Sequence, residues 1–120
     1  MAKYLFLAMA DCSDPSREDE FNKWYDGFHI PDVLSAPGVT QATRYINIDP
    51  EGNKRPKYLI AYEIETANID NFDKDLTEVI MKSKAAGRGT DCVVPDRNFP
   101  LKRPYFKQMA PAKKAPKSKG

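Results

Sequence analysis

The segment over residues 3–10 is apolar on both of the faces that an extended chain presents. Because successive side chains of a strand point to opposite sides, one face carries Tyr4, Phe6 and Ala8 and the other carries Leu5, Leu7 and Met9. This pattern fits a central strand that is covered on both sides. In a chain of 120 residues, helices suffice to cover only one side. The second side is therefore expected to meet a pocket or another subunit.

A helix is predicted after this strand. Asp14 and Pro15 supply a capping carboxylate and a proline at the first helical position. Aromatic side chains then recur at helical spacing, at Phe21, Trp24, Tyr25 and Phe28. Gly27 and Pro31 are expected to end the helix, because the residue before a proline is displaced from the helical region. His29 then falls at the helix terminus.

The second half of the chain contains two strands, a helix and a final strand. Residues 39–48 and 57–66 flank a turn rich in helix and strand breakers, and they are predicted to form an antiparallel hairpin. A second helix is predicted from Asn68 or Asp70 to the glycines at positions 87 and 89. Residues 90–101 are predicted to be a loop, and residues 103–109 the last strand.

The resulting order, β-α-β-β-α-β, is the ferredoxin-like pattern. It predicts an α+β domain over residues 1–109, in which a four-stranded antiparallel sheet carries two helices on one face. The bare face is expected to hold one of two alternating sets: either several of Tyr4, Phe6, Tyr58, Tyr62 and Tyr105, or their neighbours. Because a large exposed apolar patch is a liability on a monomer, the sequence predicts a homodimer that encloses a cavity.

The net charge of +2 comes from residues 110–120, a segment rich in lysine, alanine and proline that is expected to be flexible. Without its four lysines the chain has 15 basic and 17 acidic residues, so no nucleic-acid groove is predicted on the domain. No apolar run approaches the roughly 20 residues of a membrane span, and a cytoplasmic location is expected. Cys12 and Cys92 lie far apart in the sequence and are expected to be packing residues.

One stretch carries a family resemblance. Residues 20–32 contain Phe-x-x-Trp-Tyr followed by His-x-Pro-Asp, and Pro-Gly at 37–38 and Arg-Tyr at 44–45 come after it. This pattern resembles the EthD-like branch of the dimeric α/β-barrel superfamily, over about one quarter of the chain. The resemblance implies a homodimer with a pocket between sheet and helices in each subunit, and His29 at or near that pocket.

His29 is the only imidazole, and its ordinary pKa of about 6.5 suits proton transfer at neutral pH. The alternative is a structural histidine that bonds to backbone groups at a helix end. Asp32 is a candidate to orient the imidazole, or else it caps the short turn on which it sits. Trp24 and Phe6 are candidate pocket walls.

Three tyrosines and one arginine are further candidates. Tyr25, Tyr58 and Tyr62 are able to donate hydrogen bonds to a developing oxyanion, or else they are ordinary amphipathic core residues. Arg44 is able to hold a substrate carboxylate, or else it forms a surface salt bridge.

These residues predict a cofactor-free lyase or isomerase that moves a proton on a small hydrophobic, aromatic, polyketide-like or lactone-like molecule. His29, Tyr25 and Arg44 are the predicted catalytic residues. The first alternative is a non-catalytic small-molecule-binding or stress-responsive dimer. A cofactor-free or haem-linked monooxygenase is the second and less favoured alternative. No metal is predicted, since one histidine with scattered carboxylates does not match the usual ligand sets.

Overall fold

A long first strand, β1 (Ala2–Cys12), forms the centre of an antiparallel sheet. The computed structural model describes residues 1–48, 57–95 and 105–116. In those ranges the strand order is β2-β3-β1-β4, and β5 also pairs directly with β1, along Tyr4–Phe6, whereas β4 pairs with the end of β1. The remaining strands are β2 (Val39–Ile46), β3 (Tyr58–Thr66), β4 (Val93–Pro95) and β5 (Tyr105–Lys107). The hairpin of β2 and β3 and the central position of β1 are as predicted.

The strand register decides which side chains face the helices. Phe6 lies opposite Tyr62 and Ala8 opposite Ile60 across the β1–β3 pair. These residues point to the helix face, where the core is formed with Phe21, Val33, Phe72 and Leu76. Cys12 and Cys92 are both buried and free, as expected of packing residues.

The bare face of the sheet carries the sequence neighbours of the predicted aromatic set, and not the aromatic set itself. The five aromatic residues Tyr4, Phe6, Tyr58, Tyr62 and Tyr105 all belong to the core or pack against it. The opposite face carries Leu5, Leu7, Met9, Leu59, Ala61 and Phe106. Leu5 is 36% exposed and Phe106 43% exposed in the single subunit. The helix face takes the aromatic set because large rings fill the space beneath two helices.

The first helical segment begins as predicted and ends later. Asp14 accepts a hydrogen bond from the Ser16 N–H at 2.9 Å and caps a short 3₁₀ turn, Pro15–Arg17. Helix α1 (Glu18–Trp24) follows, then a π-helical turn (Tyr25–His29), then helix α2 (Ile30–Leu34).

The prediction that Gly27 and Pro31 end this helix is therefore wrong. In the π-helical turn the Ile30 N–H donates to the carbonyl of Tyr25, five residues earlier. The turn widens directly before Pro31, which then occupies the first turn of α2. A proline is tolerated there because its missing N–H is not needed.

Helix α3 (Ile69–Ala85) begins at Asn68, whose side chain accepts from the N–H groups of Asp70 and Asn71 at 3.0 and 3.2 Å. It ends before Gly87, which has a φ of +76°. Of the predicted loop over 90–101, the part Val93–Pro95 is instead strand, because it pairs with the end of β1 at Ala10–Cys12. Residues 90–92 belong to no helix or strand, as predicted, whereas residues 96–101 of that loop and the start of the predicted last strand lie outside the described residues.

Candidate functional site

A cavity of about 400 Å³ lies on the helix side of the sheet, where α3 approaches the first helical segment. Ala8 and Ala10 of β1 form its floor, and small side chains there leave the space open. Four of the predicted site residues line it, all from the first helical segment: Trp24, Tyr25, His29 and Asp32. Residues of α3, the turn after it and β4 complete the wall.

His29 is packed between two aromatic rings. Its imidazole stacks on Trp24 with ring centroids 4.8 Å apart and an interplanar angle of 20°, and it meets Tyr25 edge-on at 5.2 Å. Trp24 and His29 are five residues apart, which in an α-helix places side chains about 140° from each other. The wider π-helical turn brings them onto one face. The turn is thus what builds this wall of the cavity.

No hydrogen bond reaches the imidazole from any part of the chain that the structure describes. Burial lowers the pKa of His29, the charge of Asp32 raises it, and the nearby Lys84 ammonium lowers it. The net shift is downward, so the ring is neutral at pH 7 and one of its nitrogens carries a free lone pair. The alternative of a histidine bonded to backbone groups is not what these contacts show.

Tyr25 is buried, at 5% exposure, and its ring lies beside both His29 and the guanidinium of Arg44. Burial raises the pKa of Tyr25 to about 12, although Arg44 acts in the opposite direction. The phenol is therefore protonated at neutral pH. Its O–H is available as a hydrogen-bond donor.

Asp32 is bound to α3 and to the turn after it, and not to the imidazole. The Ser83 hydroxyl and the Arg88 Nε both donate to its Oδ2, at 2.5 and 2.9 Å. The Arg88 hydrogen bond holds the pKa of Asp32 below its ordinary value. Trp24 donates from Nε1 to the Arg88 carbonyl at 2.7 Å. These contacts tie the turn after α3 to the first helical segment along one edge of the cavity.

The other predicted site residues lie away from the cavity lining. Arg44 donates to Asn22 Oδ1 at 2.7 Å and to Asp26 Oδ1 at 3.1 Å, so the salt-bridge alternative describes its contacts. Its guanidinium also lies over the rings of Tyr25 and Tyr58, at 5.1 and 5.3 Å.

Tyr58 and Tyr62 lie in the core, and Phe6 packs against it. The Tyr58 hydroxyl donates to Glu18 Oε1 at 2.7 Å. The Tyr62 hydroxyl is buried without a partner among the described residues, and burial raises its pKa. Phe6 packs against Tyr62, with ring centroids 5.8 Å apart. The structure therefore divides the predicted residues into a cavity group and a core group.

The sequence pattern did not single out the polar residues that α3 supplies to the cavity. Ser83 and Lys84 line the cavity one turn after Ile80, which also lines it. The spacing i, i+3, i+4 places the three on one helix face. The apolar stripe of α3 therefore changes to polar residues at its end, a signal that was visible in the sequence. Arg88 and Thr90 follow in the turn, where no periodicity marks them.

No protein-family model and no curated protein matches the chain. Among solved structures, HapK from Hahella chejuensis covers 98% of this chain and 100% of its own, with a TM-score of 0.56 and 12% identity. A candidate monooxygenase from Shewanella loihica PV-4 covers 79% of this chain and 90% of its own, with a TM-score of 0.50 and 17% identity. An EthD family protein from Bacillus halodurans C-125 covers 79% of this chain and 94% of its own, with a TM-score of 0.46 and 14% identity.

The chain has a ferredoxin-like fold. HapK and the Shewanella protein are similar enough in structure to support this fold. Their sequence identities to this chain are low, so the similarity shows the fold alone. The predicted fold class is confirmed, and it agrees with the EthD-like resemblance of the sequence. Among the described residues, no helix is long and apolar enough to cross a membrane.

Proposed function

We propose that this chain is the subunit of an EthD-like homodimer whose cavity takes a small aromatic organic molecule, and that His29 transfers a proton in a cofactor-free lyase or isomerase reaction. The observation that carries the proposal is the state of His29. Its imidazole is neutral at pH 7, lines the cavity and has no hydrogen-bond partner among the described residues. A base in this state is ready to accept a proton from a bound molecule.

The reaction that fits is removal of a proton from a carbon next to a carbonyl group. The free imidazole nitrogen takes the proton, and the C–H electron pair moves into an enolate. The Tyr25 O–H is a suitable donor to the enolate oxygen, since burial keeps it protonated. Return of the proton to another carbon completes an isomerisation. Its delivery to a β-hydroxyl, which leaves as water, completes a dehydration.

The test is exchange of carbon-bound hydrogen in D₂O, followed by proton NMR, with 2-tetralone, a ketone fused to an aromatic ring, as the probe. The wild-type protein is expected to accelerate exchange, and His29→Gln to reduce the acceleration at least about 100-fold, because general acid–base catalysis contributes roughly 10²–10⁴. Glutamine retains a polar planar group and should leave the thermal unfolding temperature nearly unchanged. Equal exchange by both proteins would exclude His29 as the base.

The homodimer is proposed from the bare face of the sheet. Leu7 lies at the middle of the apolar set on that face, opposite Ala61. Leu7→Glu is expected to convert the dimer to a monomer in light scattering coupled to size exclusion. Met81→Glu is the matched control, because Met81 is 65% exposed on α3. Removal of residues 110–120 should leave the dimer intact, and a monomeric wild type would refute the proposal.

A second candidate is a dimer that binds the same class of molecule without turning it over. The observation that favours it is the engagement of Asp32 with Ser83 and Arg88, which leaves the imidazole without a carboxylate to orient it. Binding of 2-tetralone without exchange would support this candidate over the enzyme.

A further inference from the structure

We infer that the cavity selects an organic anion, an aromatic molecule bearing a carboxylate or a similarly ionised group, and that Lys84 is the residue that recognises its charge. This inference rests on the proposed binding of a small aromatic molecule in the cavity. It adds the charge of that molecule and assigns a specificity-determining residue outside the predicted site.

The charges on the cavity wall do not cancel. Five titratable side chains line it: Tyr25, His29, Asp32, Lys84 and Arg88. Asp32 and Arg88 form an ion pair at 2.9 Å and neutralise each other. The histidine and the tyrosine are uncharged at neutral pH. Lys84 is left as the one net charge of the lining that the structure describes.

Lys84 forms no ion pair or hydrogen bond through its side chain within the described ranges. Its stem runs beside Gly89, where an added Cβ would lie 3.6 Å from the lysine Cγ. The stem of this exposed side chain thus lies against the turn after α3 at the edge of the cavity, and its ammonium group has no protein partner among the described residues. Asp32, the acid that faces the cavity, is already occupied by two donors and offers Lys84 little competition.

The remaining wall defines the rest of the ligand. Trp24 and Tyr25 supply aromatic surface, and Ile80 and Val93 supply aliphatic surface. Flat apolar walls with one cation at the rim suit an aryl acid, since the ring is removed from water while the carboxylate keeps a charged partner. A neutral molecule of the same shape gains the burial of its ring and lacks the charge interaction with Lys84.

The test compares two probes of nearly equal shape, 2-naphthylacetate and 2-naphthylacetamide, by isothermal titration calorimetry at pH 7.5. The acid is expected to bind the wild-type protein about tenfold more tightly than the amide. Lys84→Met should abolish the difference, and Lys84→Arg should retain it. Lys82→Met is the matched control, because Lys82 lies in the same last turn of α3 and does not line the cavity.

The outcomes separate this inference from the proposed function. Equal affinity for acid and amide in the wild-type protein, or an unchanged preference in Lys84→Met, overturns the role of Lys84 and leaves the aromatic site standing. Failure of both probes to bind at millimolar concentration also overturns the inference, whereas the exchange assay with 2-tetralone decides the function independently. The two C–H resonances of the only imidazole in the proton NMR spectrum show whether each probe enters the cavity beside His29.

Discussion

Replacement of Tyr62 by phenylalanine tests the packing beside Arg44, because it removes one buried oxygen and little else. Tyr62 is 2% exposed, and its hydroxyl has no hydrogen-bond partner among the described residues. Its ring packs against Phe6 and would keep that contact in the variant. The substitution therefore isolates the free-energy cost of burying an unpaired hydroxyl.

The magnitude follows from two opposing contributions. Burial of a hydroxyl without a partner costs roughly 1–3 kcal/mol in protein mutational data. Removal of the oxygen leaves a void of roughly 10–15 Å³, which costs about 0.3 kcal/mol at about 24 cal/mol per Å³. Tyr62→Phe is thus expected to raise the free energy of unfolding by about 1 kcal/mol. The corresponding rise in melting temperature is about 4 °C for a domain of this size.

Tyr58→Phe is the matched comparison, since the Tyr58 hydroxyl donates to Glu18 Oε1 at 2.7 Å. Its loss removes a hydrogen bond to a carboxylate that is partly exposed, so the free energy of unfolding is expected to fall by about 1 kcal/mol. The two tyrosine variants should therefore move in opposite directions.

Urea unfolding followed by the fluorescence of Trp24, the only tryptophan, measures both changes as shifts of the midpoint at constant slope. All proteins are compared at one concentration, because the stability of the proposed dimer would depend on it. Destabilisation of Tyr62→Phe by more than about 0.5 kcal/mol would show that the hydroxyl has a partner in solution, and would refute this reasoning.

Two further predictions concern a glycine and the histidine. Gly38→Ala is expected to destabilise the protein by roughly 1–3 kcal/mol, because Gly38 has a φ of +101° and an added Cβ would lie 2.9 Å from the Glu65 carbonyl oxygen. Gly27→Ala is the control, since an added Cβ there meets nothing within 4 Å. This control should be neutral or stabilising in the same urea assay. Since the pKa of His29 is lower in the folded state than in the unfolded chain, stability is expected to fall as pH drops from about 6.5 towards the folded value. His29→Gln should lack this decrease, and parallel pH profiles of the two proteins would contradict the burial of the ring.

Local patterns predicted most of the fold because the signals that define its helices and strands lie within short segments of the sequence. The two apolar faces of β1, the Asn68 cap and the hairpin each depend on residues close in the sequence. The position of His29 at a pocket came from a family resemblance, and the structure places the ring on the cavity wall. Spacing alone did not exclude a histidine bonded to backbone groups.

What the sequence did not predict depends on contacts between distant residues. The hydrogen bond between Arg88 and Asp32 joins positions 56 apart, and it decides that Asp32 serves the turn and not the imidazole. The packing of Arg44 against Tyr25 and Tyr58 likewise joins a strand to a helix. The sequence left open whether Arg44 holds a substrate carboxylate, and Lys84 stood among several charged residues at the end of α3.

The π-helical turn has a consequence for how this protein can change. An α-helix advances about 100° with each residue, and the wider π-helical turn absorbs one extra residue that would otherwise rotate His29 away from Trp24. Deletion of Gly27 would leave Trp24 and His29 four residues apart, the spacing that places two side chains on one face of a regular α-helix. The two rings would then remain neighbours although the π-helical turn was lost. Homologues with one residue fewer between tryptophan and histidine can therefore build the same wall from a regular α-helix, whereas those with this residue count need the π-helical turn.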